Sequence, residues 1–381
     1  MHLTQSLTRT FYCLAPRISF IDRYLRLTLL AAVFLADSGC NSFGPDNLRG
    51  THPLYNEAIV SSMNEQLVLN IVRTHYRDPL FFLDVASVTA TMKLDMSAGL
   101  DQSQIGWNGG SDLIKYSFGA AYTTSPTISY APLQGEGFVK SVLSPIPIEV
   151  LFSLGGSGWS TRRVFGLCVE RINGLENAPS ASGPTPVVAP EQNRQFNRLL
   201  ELLETLAGHH LIIPRVNTDT KEIQLEIKNS VKFGAQIHEI KDLLGLDQTL
   251  EIYQLNSDFI KSRRDTVSIR TRSLTSIFFY LSHHVETPES HKNAGLVTIT
   301  RNQNGSEFDW GTTPAGQLFY IRQSEEQPDW AFLAIPYRGH WFYLADNDLE
   351  SKSTFMLLMQ LFRLQAGTAK STGPTLTIPV R

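Results

Sequence analysis

Apolar residues recur along this chain with two periods, and the switches between them mark out helices and strands. Over residues 54–75 the spacing is helical, with Tyr55, Ile59, Met63, Leu67 and Ile71 on one arc at about 100 degrees per residue. The amides Gln66 and Asn70 fall inside that arc, where each needs a partner or costs about 1 to 3 kcal/mol. Asp78-Pro79 stops the helix. Over 82–96 the period drops to two: Val88, Ala90, Met92, Leu94 and Met96 lie on one side, and Ser87, Thr89, Thr91, Lys93 and Asp95 on the other. That alternation predicts a half-buried sheet. A polar, glycine-rich connection at 99–110 leads to strands at 114–122 and 127–130. Segments 138–154 and 162–172 read as helices, the first broken at Pro145 and Pro147.

The same reading continues after residue 190. A helix over 191–207 carries the stripe Phe196, Leu199, Leu200, Leu203 and Leu206. A hairpin at 211–216 and 222–227, a helix at 235–244 and strands at 250–255 and 266–272 follow, and Ser273 is placed to cap a helix running to about 285. Strands are expected at 318–322, 331–337 and 341–344, the last two joined by a tight turn at Arg338-Gly339. The helix at 349–364 is apolar around most of its circumference, which predicts a central position. Asn347 and Glu350 resemble a capping box at its start, and 376–380 closes the chain as a strand.

Between the two halves, residues 177–190 read NAPSASGPTPVVAP, with four prolines and no charge. Such a composition predicts an extended, solvated linker. The expected fold class is α+β, a two-part body of mixed or antiparallel sheets packed with helices. Its domains would be 53–176 and 191–381, preceded by a cleaved signal at 1–39 and a tether at 40–52. A hydrophobic content of 42% is enough for a sizeable core.

The leader has the three parts of an export signal. Arg17, Arg23 and Arg26 precede an uncharged run from Leu27 to Ala36, and Ser38-Gly39-Cys40 follows. That run is too short to cross a bilayer as a helix, which takes about 20 residues. Ser38-Gly39-Cys40 resembles the lipobox of bacterial lipoprotein precursors, departing from it at Asp37, where that family usually has an apolar residue. The resemblance implies acylation of Cys40 and a membrane partner reached through the lipid; Asn41 implies the outer membrane, facing the periplasm. Two further stretches, from Asn64-Glu65-Gln66-Leu67 to Tyr76-Arg77-Asp78-Pro79 and Tyr337-Arg338-Gly339-His340-Trp341-Phe342-Tyr343, resemble predicted lipoproteins of Gram-negative bacteria. Those have no known activity, so the resemblance supplies no catalytic residue.

Removing residues 1–39 takes away four arginines and two aspartates, so the formal charge of −3 becomes −5. A mildly acidic body argues against nucleic acid as a partner. Of the three cysteines, Cys13 leaves with the leader and Cys40 takes the lipid, which assigns Cys168 to the core.

No segment matches a catalytic signature. His283, His284, Glu286, Glu289 and His291 crowd together without zinc spacing, and a solvated helix end accounts for them better than a metal. Asp346, Asp348 and Glu350 are explained by capping and the helix dipole. Gly155-Gly156-Ser157-Gly158-Trp159 lacks the second glycine of a nucleophile elbow. No cofactor is expected. The binding candidates are Arg263, Arg264, Arg270 and Arg272, where alternation puts the last two on one side of a strand, and the aromatic residues Tyr337 and Phe342. They point to an anionic ligand or an envelope protein. The expected function is a lipid-anchored envelope component that binds or assembles; the alternative is a periplasmic hydrolase acting on glycan or peptide. Replacing Cys40 with Ala should abolish incorporation of acyl label and change the mass of the mature N-terminus. Label persisting in the variant, or missing from the wild type, overturns the lipid assignment.

Overall fold

The computed structural model describes residues 43–102, 114–190, 194–217, 222–257, 263–367 and 376–379. The leader, Cys40 and the first residues of the tether lie outside them. Backbone contacts group Met63–Arg381 as one unit, apart from Met1–Ser62. The fold is α+β.

Helix α1 (Phe43–His75) ends in the Asp78-Pro79 turn, as expected, and leads to β1 (Leu83–Gln102) and β2 (Ile114–Pro132). The two amides on its apolar arc find their partners here. Gln66 donates to the Leu83 carbonyl at 2.9 Å and accepts from the Leu83 amide. Asn70 donates to the Phe81 carbonyl at 2.8 Å and accepts from the Phe81 amide at 3.1 Å. Four helical residues rise about 6.0 Å, and two strand residues advance about 6.6 Å. The match lets one helix face act as a neighbouring strand for the chain entering β1. Beyond that point β1 and β2 pair antiparallel from Leu83↔Pro132 to Gln102↔Ile114, with a register shift between Val85 and Ser87.

The break at Pro145 and Pro147 separates α2 (Glu136–Leu143) from α3 (Ile148–Gly156). Ser160 caps α4 (Thr161–Cys168), which stops short of the helix expected through 172. Residues Val169–Ile172 form β3 instead, followed by the short β4 (Leu175–Glu176). Tertiary pairing overrides the local helical pattern there, because the neighbouring strand satisfies the backbone of 169–172.

After α5 (Arg194–Gly208) come β5 (Ile212–Val216), β6 (Ile223–Ile227), α6 (Gly234–Leu243), β7 (Ile252–Asn256) and β8 (Thr266–Thr271). Six strands form one sheet in the order β4-β3-β8-β7-β6-β5, in which only β7 and β8 run parallel. The expected stripe on α5 is fully buried, from Phe196 to Leu206. Cys168 lies in the core, and burial pushes its thiol up to about 12.

The sheet crosses the expected domain boundary, since β3 and β4 precede residue 177 and the other four strands follow 190. The division into 53–176 and 191–381 therefore does not describe the folded body. Nor is 177–190 a solvated linker. Asn177, Ala178, Ala181 and Thr185 are buried, and a short 3-10 turn spans Pro179–Ser182. Composition missed this because small residues and prolines are as compatible with close packing around a buried polar group as with solvation.

Ser273 caps α7 (Leu274–Ser282) by accepting from the Ser276 amide at 3.1 Å, and α8 (Glu289–Asn293) follows. A second sheet, ordered β10-β11-β9, comprises β9 (Arg322–Ser324), β10 (Ala331–Tyr337) and β11 (His340–Ala345). Arg338 and Gly339 have φ of 48° and 82°, left-handed values at both central positions of the expected tight turn. Asp348, rather than Asn347, caps α9 (Leu349–Gly367), its carboxylate accepting from the Ser351 amide at 3.0 Å. Leu357 and Leu358 are fully buried on α9, which packs against α2 and α7. The closing strand β12 (Leu376–Pro379) pairs with residues 127–130 of β2. Leu358→Ala should cost about 2 to 5 kcal/mol in denaturant unfolding; a loss below about 0.5 kcal/mol would contradict its central packing.

Candidate functional site

The two segments singled out by resemblance meet in space. Tyr337, at the end of β10, donates to the Asp78 carboxylate beyond α1, and Arg338 in the turn bonds the same oxygen at 2.8 Å. The Arg338 guanidinium also sits over the Tyr76 ring at 5.1 Å, and the Tyr76 hydroxyl bonds His291 Nδ1 at 2.7 Å. His291 in turn packs edge-on against His340 at 4.8 Å between centroids. Partial burial works against the Asp78 carboxylate, but the bonds from Tyr337 and Arg338 outweigh it and hold its pKa below the ordinary value. Every strong donor aimed at Asp78 thus comes from within the body, an arrangement that fastens α1 to the second sheet.

The predicted binding residues separate into surface and core. Arg263 pairs with Asp265 at 2.7 Å, and Arg270 with Glu170 at 3.2 Å. Both arginines are exposed, as is Arg264. Arg272 is not on their side. It is fully buried, because β8 ends at Thr271 and the β3 pairing carries a register shift beside it. Its guanidinium bonds the carbonyls of Val169 at 2.6 Å and Ala178 at 3.3 Å, the carbonyl of Asn177, and the Ser182 hydroxyl at 3.0 Å. The ring of Tyr280 covers its face at 4.0 Å. Arg272 is a structural cation, so the expected pair of guanidinium forks does not form. Phe342 is likewise core, while Tyr337 is half-buried against Asp78.

The histidine cluster is not a solvated helix end. His283 is buried, stacked on Trp310 at 4.4 Å, and bonded to the Thr185 hydroxyl at 3.2 Å and the Ala181 carbonyl at 3.0 Å. His284 bonds the Phe319 carbonyl at 2.9 Å, and Glu289 pairs with Lys292 at 3.2 Å. Each is held by a different partner. Among the described residues no group of three His, Cys, Asp or Glu side chains is placed to hold a metal ion.

What the sequence reading missed is a cavity of about 340 Å³ between α3, α4, α5 and the six-stranded sheet. Leu151, Phe152, Phe165, Leu203, Ile212 and Val267 are among its lining residues, and of the lining side chains only those of Thr161 and His210 are polar. The signal was present but ambiguous. A leucine stripe looks the same whether its partners close over it or leave a gap, and the glycines at 155 and 156, weighed only against a nucleophile elbow, line the cavity wall. No family model, curated protein or solved structure matches this chain.

Burial lowers the pKa of four histidines, His284 and His291 among them, and most strongly depresses His75, to about 4, and His283, to about 3. These last two remain neutral in the folded body while the unfolded chain takes up protons near pH 6.5. Stability is therefore unaffected by them above that pH and falls as pH drops toward 4. Each adds a slope of up to about 1.4 kcal/mol per pH unit. His75→Asn and His283→Asn should each flatten the stability profile between pH 6 and 4.5, measured by denaturant unfolding; unchanged slopes would show that neither is buried neutral.

Proposed function

We propose that this chain is an exported protein of the bacterial envelope, anchored through a lipid on Cys40 and facing the periplasm from the outer membrane. Its body binds rather than hydrolyses, and its ligand is the alkyl portion of an envelope amphiphile. The observation that carries the binding reading is the wall of the 340 Å³ cavity, which is apolar apart from Thr161 and His210 and contains no carboxylate. Glycoside hydrolysis, and peptide hydrolysis of the aspartic type, call for two carboxylates converging in a cleft. Among the described residues the buried acids are Glu170 and Glu226, and each faces an arginine, Arg270 at 3.2 Å and Arg215 at 2.7 Å. They stabilise the sheet and do not face one another across a site.

An alkyl chain suits this wall because burial contributes about 0.8 kcal/mol per methylene. About ten methylenes gain about 8 kcal/mol, the scale of a micromolar complex before ordering costs. A protein held at a membrane by its own lipid meets such chains at high local concentration. Of the basic residues, the exposed Arg263, Arg264 and Arg270 keep a role toward an anionic headgroup or partner. A fluorescent alkyl probe should bind the purified full chain and be displaced by a long-chain fatty acid. Ala207→Trp, which places an indole in the cavity wall, should weaken binding about tenfold, or about 1.4 kcal/mol. Undiminished binding in that variant, or no binding by the wild type, overturns the assignment.

A further inference from the structure

The β1–β2 hairpin has a polarity pattern that the body does not use. Alternation and register place Val88, Ala90, Met92, Leu94, Met96, Ala98 and Leu100 on one face, opposite Ile128, Pro126, Thr124, Tyr122, Ala120, Phe118 and Tyr116. All but Thr124 are apolar or aromatic. The other face holds Thr89, Thr91, Lys93, Asp95, Ser97, Gly99 and Asp101, opposite Thr127, Ser125, Thr123, Ala121, Gly119, Ser117 and Lys115. On it, Ser97 and Gly119 are exposed. A strand pair buried on one side of a globular body would carry this pattern too, but among the described residues no helix or other sheet packs extensively on the hairpin. Apart from the Gln66 bonds to Leu83 at the base, its main contacts are between its own strands and with β12.

Length decides what the apolar face fits. Val88 to Leu100 spans about 40 Å at 3.3 Å per residue, and a tilt of about 45° reduces this to about 28 Å, the thickness of a bilayer's hydrocarbon core. Tyr116 and Tyr130 occupy the same face near either end, where aromatic girdles meet the headgroups. The register shift between Val85 and Ser87 falls at the base, as bulges do at barrel rims. The body is apolar there as well: Phe81, Val139 and Leu143 are exposed, beside a cleft lined by Leu80, Phe81, Leu133 and Val142. Both long edges of the hairpin beyond β12 lack a strand neighbour among the described residues. Unpaired edges are excluded from lipid, so a spanning hairpin must be closed by others.

We propose that the hairpin inserts in the bilayer and that copies of this chain join edge to edge into a transmembrane β-barrel, lipid outside and the Thr, Ser, Lys and Asp face lining a water-filled lumen. At two strands per copy, the smallest spanning barrels, about eight strands, take about four copies. The idea rests on the envelope reading for its location, but reconstitution of the purified full chain into phosphatidylcholine vesicles bypasses export and acylation. Single cysteines at 90, 91, 92, 93, 94 and 95, each carrying an environment-sensitive fluorophore, are then read with and without a lipid-borne nitroxide quencher. Quenching at 90, 92 and 94 with little at 91, 93 and 95 is expected, together with ion conductance and cross-linked oligomers. Leu94→Arg combined with Tyr122→Arg should abolish conductance and quenching while the body unfolds normally in denaturant. Quenching at no position, with the hairpin instead captured by a soluble partner, overturns the proposal, as does quenching without alternation or conductance unchanged in the double variant. Cys40→Ala should leave the quenching pattern intact, so loss of the anchor and loss of the barrel are separate outcomes.

Discussion

The body is organised around one buried cation. Arg272 sits without solvent contact and without a carboxylate of its own, and burial holds its pKa below the ordinary arginine value. Leaving such a charge unpartnered would cost several kcal/mol, so its donors dictate where the surrounding chain must go. They draw in the carbonyls of 177 and 178, the Val169 carbonyl at the start of β3 and the Ser182 hydroxyl, while Tyr280 of α7 covers the flat face. Asn177 completes the knot: it donates to the carbonyls of Gly166 and Val169, each at 2.8 Å, and accepts from the Tyr280 hydroxyl at 2.8 Å. Residues on either side of the proline-rich stretch are thereby joined through the stretch itself.

A second constraint acts where the hairpin begins. Gln66 and Asn70 hold the chain at 81 and 83 by paired hydrogen bonds, so the hairpin starts from a rigid seat with its register fixed before its first cross-strand pair. Register matters more here than in most sheets, because a slip of one residue exchanges the polar and apolar faces along the whole ribbon. The Asp78 junction, one turn past the helix end, fastens the same helix to the second sheet.

Periodicity made most of the elements legible in the sequence. The α1 arc, the strand after residue 82, the leucine stripe of α5, the Arg338-Gly339 turn and the encircling apolar surface of α9 are local patterns, and each element reappears as expected. The need for partners at Gln66 and Asn70 was legible too, though not their identity. What failed was long-range. Val169 to Ile172 carry a helical pattern but are claimed by β8, and Arg272 breaks alternation because a register shift sits beside it. The segment 177–190 looks solvated until a cation elsewhere in the chain demands its carbonyls. The cavity was illegible for a related reason: sequence pattern says which side chains turn inward, not whether they meet.

Cys168 closes α4 beside that cation, its carbonyl accepting from the Arg272 amide at 2.7 Å, and its side chain is fully buried. Its thiol meets neither oxidant nor disulfide while the body is shut, since exchange proceeds through an accessible thiolate and burial opposes both access and ionisation. Exposure of the sulfur requires the junction of helix, sheet and proline-rich segment to come apart. The thiol is therefore reachable by thiol reagents only in molecules that have already lost this packing.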